Sequence, residues 1–146
     1  MIIWLTGQPG SGKTTICKKI LSDKPNVFHI DGDDLRDLFE NKDYSETGRR
    51  KNIELAQQIA QYLHKKGNDV VVSLVSPYKD QRDKFKEKMG DNLVEVYIHT
   101  KELRGREDFF VKEYEPPTEK YLSIDTTNES IDESAKKVLD YAKNSR

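Results

Sequence analysis

Gly7-Gln8-Pro9-Gly10-Ser11-Gly12-Lys13-Thr14 is the stretch that decides the fold of this 146-residue chain. It follows the apolar run Ile2-Ile3-Trp4-Leu5-Thr6 and leads into a segment, Thr14 to Leu21, whose positions Ile16, Cys17, Ile20 and Leu21 recur at helical spacing. An apolar run with no polar alternation fits a strand buried on both faces of a parallel sheet. Strand, glycine-rich loop and helix in that order, with the spacing GxxxxGKT, is the context in which a loop cradles the phosphates of a nucleotide. Glycine lets the backbone turn its N–H groups inward, and the following helix aims the positive end of its dipole at the same point. Gly7, Gly10, Ser11 and Gly12 are therefore expected to shape the nest and Lys13 to reach the β- and γ-phosphates. Thr14 should offer its hydroxyl to Mg²⁺, with Thr15 beside the α-phosphate. ATP and Mg²⁺ are the implied ligands.

Outward from this loop, short apolar strands alternate with helical stretches. Val27–Ile30 reads as a second strand, running into Asp31-Gly32-Asp33-Asp34 and a helical turn with Leu35 and Leu38. After a polar stretch at 41–48, Ile53, Ala56, Ile59, Ala60 and Leu63 share one face of a long helix ending at Gly67. Val70–Val75 is a third strand, closed by Ser76-Pro77-Tyr78 before a charged helix over 79–89, and 93–98 a fourth. The charged, proline-containing segment of about 100–119 reads as a mobile lid, followed by a strand at 121–124 and a helix over 131–142. This alternation predicts an α/β fold, a three-layer α/β/α sandwich around a five-stranded parallel sheet, the P-loop NTPase fold, with right-handed crossovers. The length suits one domain, residues 1–146.

Composition narrows the function classes. With 25 basic against 26 acidic residues and a net charge of −1, the chain exerts no broad pull on nucleic acid or an anionic membrane, so any anion site must be local. No apolar run approaches the roughly 20 residues that span a bilayer. One cysteine, Cys17, permits no internal disulfide, and the N-terminus lacks the features of a secretory signal, so a reducing cytoplasm is the expected location. There is no NKxD-like base-reading motif and no apolar strand ending in a Walker B Asp, the third strand running into Ser73 and Ser76 instead, which argues against a GTPase or ATPase switch.

The acceptor must be read elsewhere. Asp31-Gly32-Asp33-Asp34-Leu35-Arg36 stands at a strand end that should adjoin the phosphate loop, where a carboxylate can orient a hydroxyl for in-line attack. With the P-loop after the first strand, DGDxxR after the second and Ser76-Pro77-Tyr78 after the third, the sequence resembles the adenylylsulfate kinase family. The resemblance covers about residues 2–98, and more loosely Tyr114-Glu115-Pro116-Pro117 and Asp125-Thr126. It implies that Asp33 accepts the proton of the acceptor hydroxyl, that Asp31 helps organise Mg²⁺ through water, and that Arg36, Arg49 and Asn52 grip the acceptor's anionic group and sugar. It further implies that Tyr44 stacks on the acceptor base, that Ser76, grouped with the catalytic residues, lines the site with Pro77 and Tyr78, and that a homodimer is to be expected. Arg104 and Arg106 are candidates to clamp phosphate from the lid.

The match departs from the family in two places. The Lys- and Gly-rich stretch usual in the lid is replaced by Leu103 to Lys112, and Glu54 and Leu55 stand where a pair of arginines is typical. Two acceptors remain open on these residues: the 3′-hydroxyl of adenylylsulfate, as in sulfate assimilation, and another modified nucleotide such as cytidine diphosphoramidate, as in capsule biosynthesis. A different class, a non-catalytic ATP-binding regulator, is disfavoured by Lys13, Thr14 and Asp33.

Overall fold

The computed structural model of the chain describes residues 1–102 and 104–145, so that Leu103, inside the segment read as a lid, lies outside the described residues. Strands β1 (Ile2–Thr6), β2 (Phe28–Asp31), β3 (Val70–Ser73), β4 (Leu93–His99) and β5 (Leu122–Asp125) form a parallel sheet in the order β2-β3-β1-β4-β5. Helices α1 (Lys13–Asp23), α2 (Gly32–Leu38), α3 (Glu46–Lys65), α4 (Lys79–Met89) and α5 (Ile131–Asn144) cover it. Successive side chains of a strand point to opposite faces. Ile3 and Leu5 of β1 therefore pack with Ile16 and Ile20 of α1 and Val138 of α5, while Ile2 and Trp4 pack with Leu35, Ile53, Ala56 and Phe85 of α2 to α4. This is the three-layer P-loop NTPase architecture, and it explains why β1 and β3 read as unbroken apolar runs: both of their faces are buried.

The chain leaves β1 toward β2 on one side and leaves β3 toward β4 on the other, so the carboxyl ends of these adjacent strands open into a crevice. Both carboxylate-bearing and phosphate-binding segments start there. β1 delivers the glycine-rich loop, and β2, paired with β3 through Asp31↔Ser73, delivers Asp31.

Several boundaries differ from the sequence reading, most by one or two residues. β3 ends at Ser73 rather than Val75, because Leu74 turns onto α2, where a Cβ at Gly32 would stand 2.8 Å from the Leu74 Cβ, and Ser76 takes a left-handed φ of 39°. α3 begins at Glu46, inside the stretch read as polar connection. Ser45 caps it by accepting from the Gly48 N–H at 3.4 Å, and its first turn is polar because Glu46 and Thr47 are exposed to solvent. β5 spans Leu122–Asp125, one residue later than expected. Leu38 ends α2 70% exposed and so is not the core partner of Leu35 that the pattern suggested. No helix of the described residues is long and apolar enough to cross a membrane.

Candidate active site

The crevice holds a cavity of about 730 Å³, within the usual size of small-molecule sites. Its floor is the glycine-rich loop. Gly12 adopts φ 112° as the residue before α1, which turns the loop's amides inward, and a Cβ at Gly7 would come within 2.1 Å of the Ile98 carbonyl, so only glycine lets the loop lie against β4. The Lys13 ammonium donates to the carbonyls of Gly7 and Gln8 at 2.8 and 2.9 Å and to Ser11 Oγ at 3.4 Å. Burial lowers its pKa from 10.5 to about 8, with the Arg106 charge acting in the same direction and Asp31 and Asp33 opposing. Lys13, Thr14 and Thr15 line the cavity, as do Gly10 and Gly12, whereas Gly7 and Ser11 lie behind the loop and shape it without facing the space.

Asp31 performs two tasks from the end of β2. One carboxylate oxygen caps α2, accepting from the N–H groups of Asp33 and Asp34 at 3.2 and 3.3 Å. The other accepts from Ser73 Oγ at 3.1 Å and from Thr14 Oγ1 at 3.4 Å. Ser73 in turn lies 2.7 Å from His29 Nε2, so a chain of polar contacts runs from β2 through β3 to the phosphate loop. With Asp31 occupied as the cap, Asp33 stands exposed on the cavity wall two residues along. Thr14 and Asp31 thus bring hard oxygen donors together at the loop's mouth, the donor type that Mg²⁺ takes.

Cations dominate the remaining walls. Lys13, Arg36, Arg49, Arg104 and Arg106 face the cavity against Asp31 and Asp33, an excess of positive charge in a chain whose net charge is −1. The Arg36 guanidinium lies 4.0 Å over the Tyr44 ring, and its Nη1 donates to the Asn41 carbonyl, Asn41 Oδ1 and the Asp43 carbonyl, so this residue holds Tyr44 and the 41–43 turn in place. Arg49, half-buried on α3, has no hydrogen-bonding or ionic partner among the described residues. Asn52 is 4% exposed, lines the cavity and donates to the Gly32 carbonyl at 3.2 Å, while its Oδ1 is buried without a partner among the described residues.

Other expectations are corrected. Tyr78 does not line the cavity. It takes the position before α4, 7% exposed within the sheet-facing core, with the Arg50 guanidinium 4.2 Å over its ring. Ser76 and Pro77 do line it, but the Ser76 hydroxyl accepts from the Trp4 indole N–H at 3.0 Å and donates to the Leu74 carbonyl at 3.3 Å. The Ser76 hydroxyl is therefore buried and committed to two contacts within the fold. Cys17 is an inert core thiol, pushed up to about 12 by burial.

The segment after β4 closes the remaining side. Arg104 donates to the carbonyls of Gly10 and Ser11 at 3.2 Å and to the Thr126 carbonyl at 3.0 Å, and the Arg106 guanidinium lies 5.3 Å from the Phe109 ring. Phe109 and Phe110 line the cavity at 64% and 41% exposure. The sequence reading did not select them, nor Ser73. Two adjacent aromatics in a charged segment were a visible signal, whereas Ser73 emerges only from its strand pairing with Asp31.

Comparison with known proteins gives concordant results. The adenylylsulphate kinase family profile matches residues 1–124. The chain is similar to the adenylyl-sulfate kinase of Pseudomonas aeruginosa, with 31% identity over 96% of this chain and 84% of that protein. It is 28% identical to the adenylyl-sulfate kinase of Oceanobacillus iheyensis over 97% of this chain and 83% of that one. Among solved structures it superposes on the Mycobacterium tuberculosis APS kinase CysC in complex with AMPPNP and APS with a TM-score of 0.82 and 25% identity, over 97% and 96% of the two chains.

Proposed function

Because the chain belongs to the adenylylsulphate kinase family, we propose that it transfers the γ-phosphoryl group of ATP to the 3′-hydroxyl of adenylylsulfate, acting in the cytoplasm as a single catalytic domain. The observation that carries this reading is one cavity in which a complete phosphate loop, a free carboxylate at Asp33 and an unpaired guanidinium at Arg49 face one another. A pure nucleotide sensor needs only the first of these.

The roles follow from chemistry. Loop amides between Gly7 and Thr14 and the Lys13 ammonium bind the triphosphate and offset charge on its oxygens during transfer. Thr14 and Asp31 would hold Mg²⁺, the latter through water, and that ion supplies further neutralisation of phosphate charge when bound. Asp33 accepts a hydrogen bond from the acceptor hydroxyl, orients its oxygen along the line of attack and takes the proton as the new P–O bond forms. Arg49 pairs with the acceptor's anionic phosphosulfate, Asn52 Oδ1 accepts from a sugar hydroxyl, and Tyr44, braced by Arg36, stacks on the base with the Phe109-Phe110 pair opposite. Arg106 adds positive charge on the phosphate side of the cavity, and Arg104 ties the segment to the loop.

The test is ADP release at constant Mg²⁺ and ATP with adenylylsulfate, cytidine diphosphoramidate or no acceptor. Rapid turnover with adenylylsulfate alone is expected. Preference for the cytidine compound would reassign the acceptor, and ATP binding with no turnover on either would make the chain a regulator.

A further inference from the structure

The wall carrying Phe109 and Phe110 belongs to a long connection, yet it is fastened to the phosphate loop by a side chain that the proposed chemistry does not use. Gln8 Nε2 donates to the Val111 carbonyl at 2.8 Å, and Gln8 Oε1 accepts from the Val111 N–H at 2.9 Å. One amide thus satisfies both backbone groups of the residue that follows Phe110, as a neighbouring strand would. Val111 is 6% exposed, and its N–H has no other acceptor among the described residues, whereas its carbonyl also accepts from the Tyr114 N–H at 3.3 Å. Loss of Gln8 would leave a buried N–H unpaired, and the backbone at Val111 would have to move to rehydrate it.

Gln8 is also anchored on the nucleotide side. Its carbonyl accepts from the Lys13 ammonium at 2.9 Å and from the Ser11 N–H at 3.2 Å. Farther along, the segment is tied elsewhere: the Tyr114 hydroxyl lies 2.8 Å from Thr6 Oγ1, Glu115 N–H donates to the Pro77 carbonyl at 2.9 Å, and Arg82 donates to the Glu115 carbonyl. Those contacts hold the far end of the connection, and the Gln8 pair is the attachment immediately after the two phenylalanines.

We propose that Gln8 is a positioning residue for the acceptor, pinning Val111 to the phosphate loop so that Phe109 and Phe110 stand where the acceptor nucleotide binds. The inference rests on the proposed reaction for the identity of that acceptor, but the clasp itself does not.

Two variants test it. Gln8→Leu removes both hydrogen bonds, and Gln8→Glu keeps the shape and the acceptor oxygen while setting a carboxylate against the Val111 carbonyl. Amide hydrogen exchange over residues 107–113 is compared with wild type, and KM is measured separately for adenylylsulfate and ATP. Exchange at Val111 should quicken about tenfold in both variants, a factor that corresponds to about 1.4 kcal/mol. The KM for adenylylsulfate should rise about tenfold, with about a twofold change or less in the KM for ATP, since the loop amides remain in place. Unchanged exchange at Val111 overturns the proposal, as does an equal rise of both KM values, which would mean that Gln8 only supports the loop. If wild type fails to phosphorylate adenylylsulfate while exchange still separates the variants, the proposed reaction falls and the clasp stands.

Discussion

Lys13 should give this enzyme an alkaline limit well below that of an ordinary lysine. Lys13 is 8% exposed, and burial lowers the pKa of its ammonium from 10.5 to about 8. Only the protonated form attracts phosphate, so ATP capture is intact below pH 8 and is lost as the pH rises through that value. For kcat/KM with respect to ATP, which reports the enzyme before ATP binds, the expected profile is flat to about pH 8 and then falls about tenfold per unit, leaving roughly a tenth at pH 9. A lysine near its reference value of about 10.4 would show no such fall until about two units higher. In the complex, the triphosphate's negative charge favours the ammonium and raises the pKa, so kcat should break at higher pH than kcat/KM. The assay is ADP release at saturating adenylylsulfate and fixed free Mg²⁺, with ATP varied at each pH. Lys13→Arg supplies the control, because a guanidinium stays charged throughout, and its weaker residual activity should lack the break. A wild-type profile that stays flat past about pH 9.5, or the same break in Lys13→Arg, would refute the reasoning. The shift also has a sign for folding. Between pH 8 and 10.5 the unfolded chain holds the extra proton, so the Lys13 contribution to stability of the ligand-free protein improves as pH rises through that window.

Two further outcomes follow from the geometry. Asp33→Asn should leave ATP affinity, measured by calorimetry, within about twofold of wild type while lowering kcat by about 10²-fold or more, because a general base contributes on that scale. Equal turnover would remove Asp33 from the proton's path. Arg82→Met should strand Glu95, which is 2% exposed and paired with Arg82 at 3.1 Å and Lys86 at 2.9 Å, behind the wall that holds Ser76 and Glu115. Breaking a buried pair costs about 3–5 kcal/mol, and for a chain of this size that lowers Tm by on the order of 10 °C. Thermal denaturation followed by circular dichroism measures it, and a fall under about 3 °C would mean that Lys86 alone compensates the carboxylate.

The parts that were legible in the residues are those governed by short-range rules. Ile2–Thr6 could only be a doubly buried strand, Gly7 to Thr14 carries its own loop geometry, and the 3.6-residue pattern from Ile53 to Leu63 names a helix wherever it sits. The start of that helix was missed because Glu46 and Thr47 are exposed to solvent and Gly48 packs against Asp43, so no apolar periodicity marks its first turn and the polarity imitates a loop. Tyr78 was misplaced for the converse reason: its neighbours Ser76 and Pro77 do line the cavity, but the residue that opens α4 turns back into the core.

By itself the sequence determined that a phosphate loop would form, which strand and helix flank it, and that Asp31 and Asp33 would leave a strand end beside it, because each depends on residues within one turn or one strand of each other. Only the tertiary structure decided which oxygens and cations meet. The β2-β3 pairing sets Ser73 against Asp31, Asp31 is engaged by the α2 cap, Ser73 and Thr14 while the Asp33 carboxylate stands exposed in the same cavity, and Gln8 reaches Val111 across 103 positions of chain. Such contacts depend on strand order and on which face each crossover takes. Those follow from burying all the apolar faces at once, and no local window of residues contains that condition.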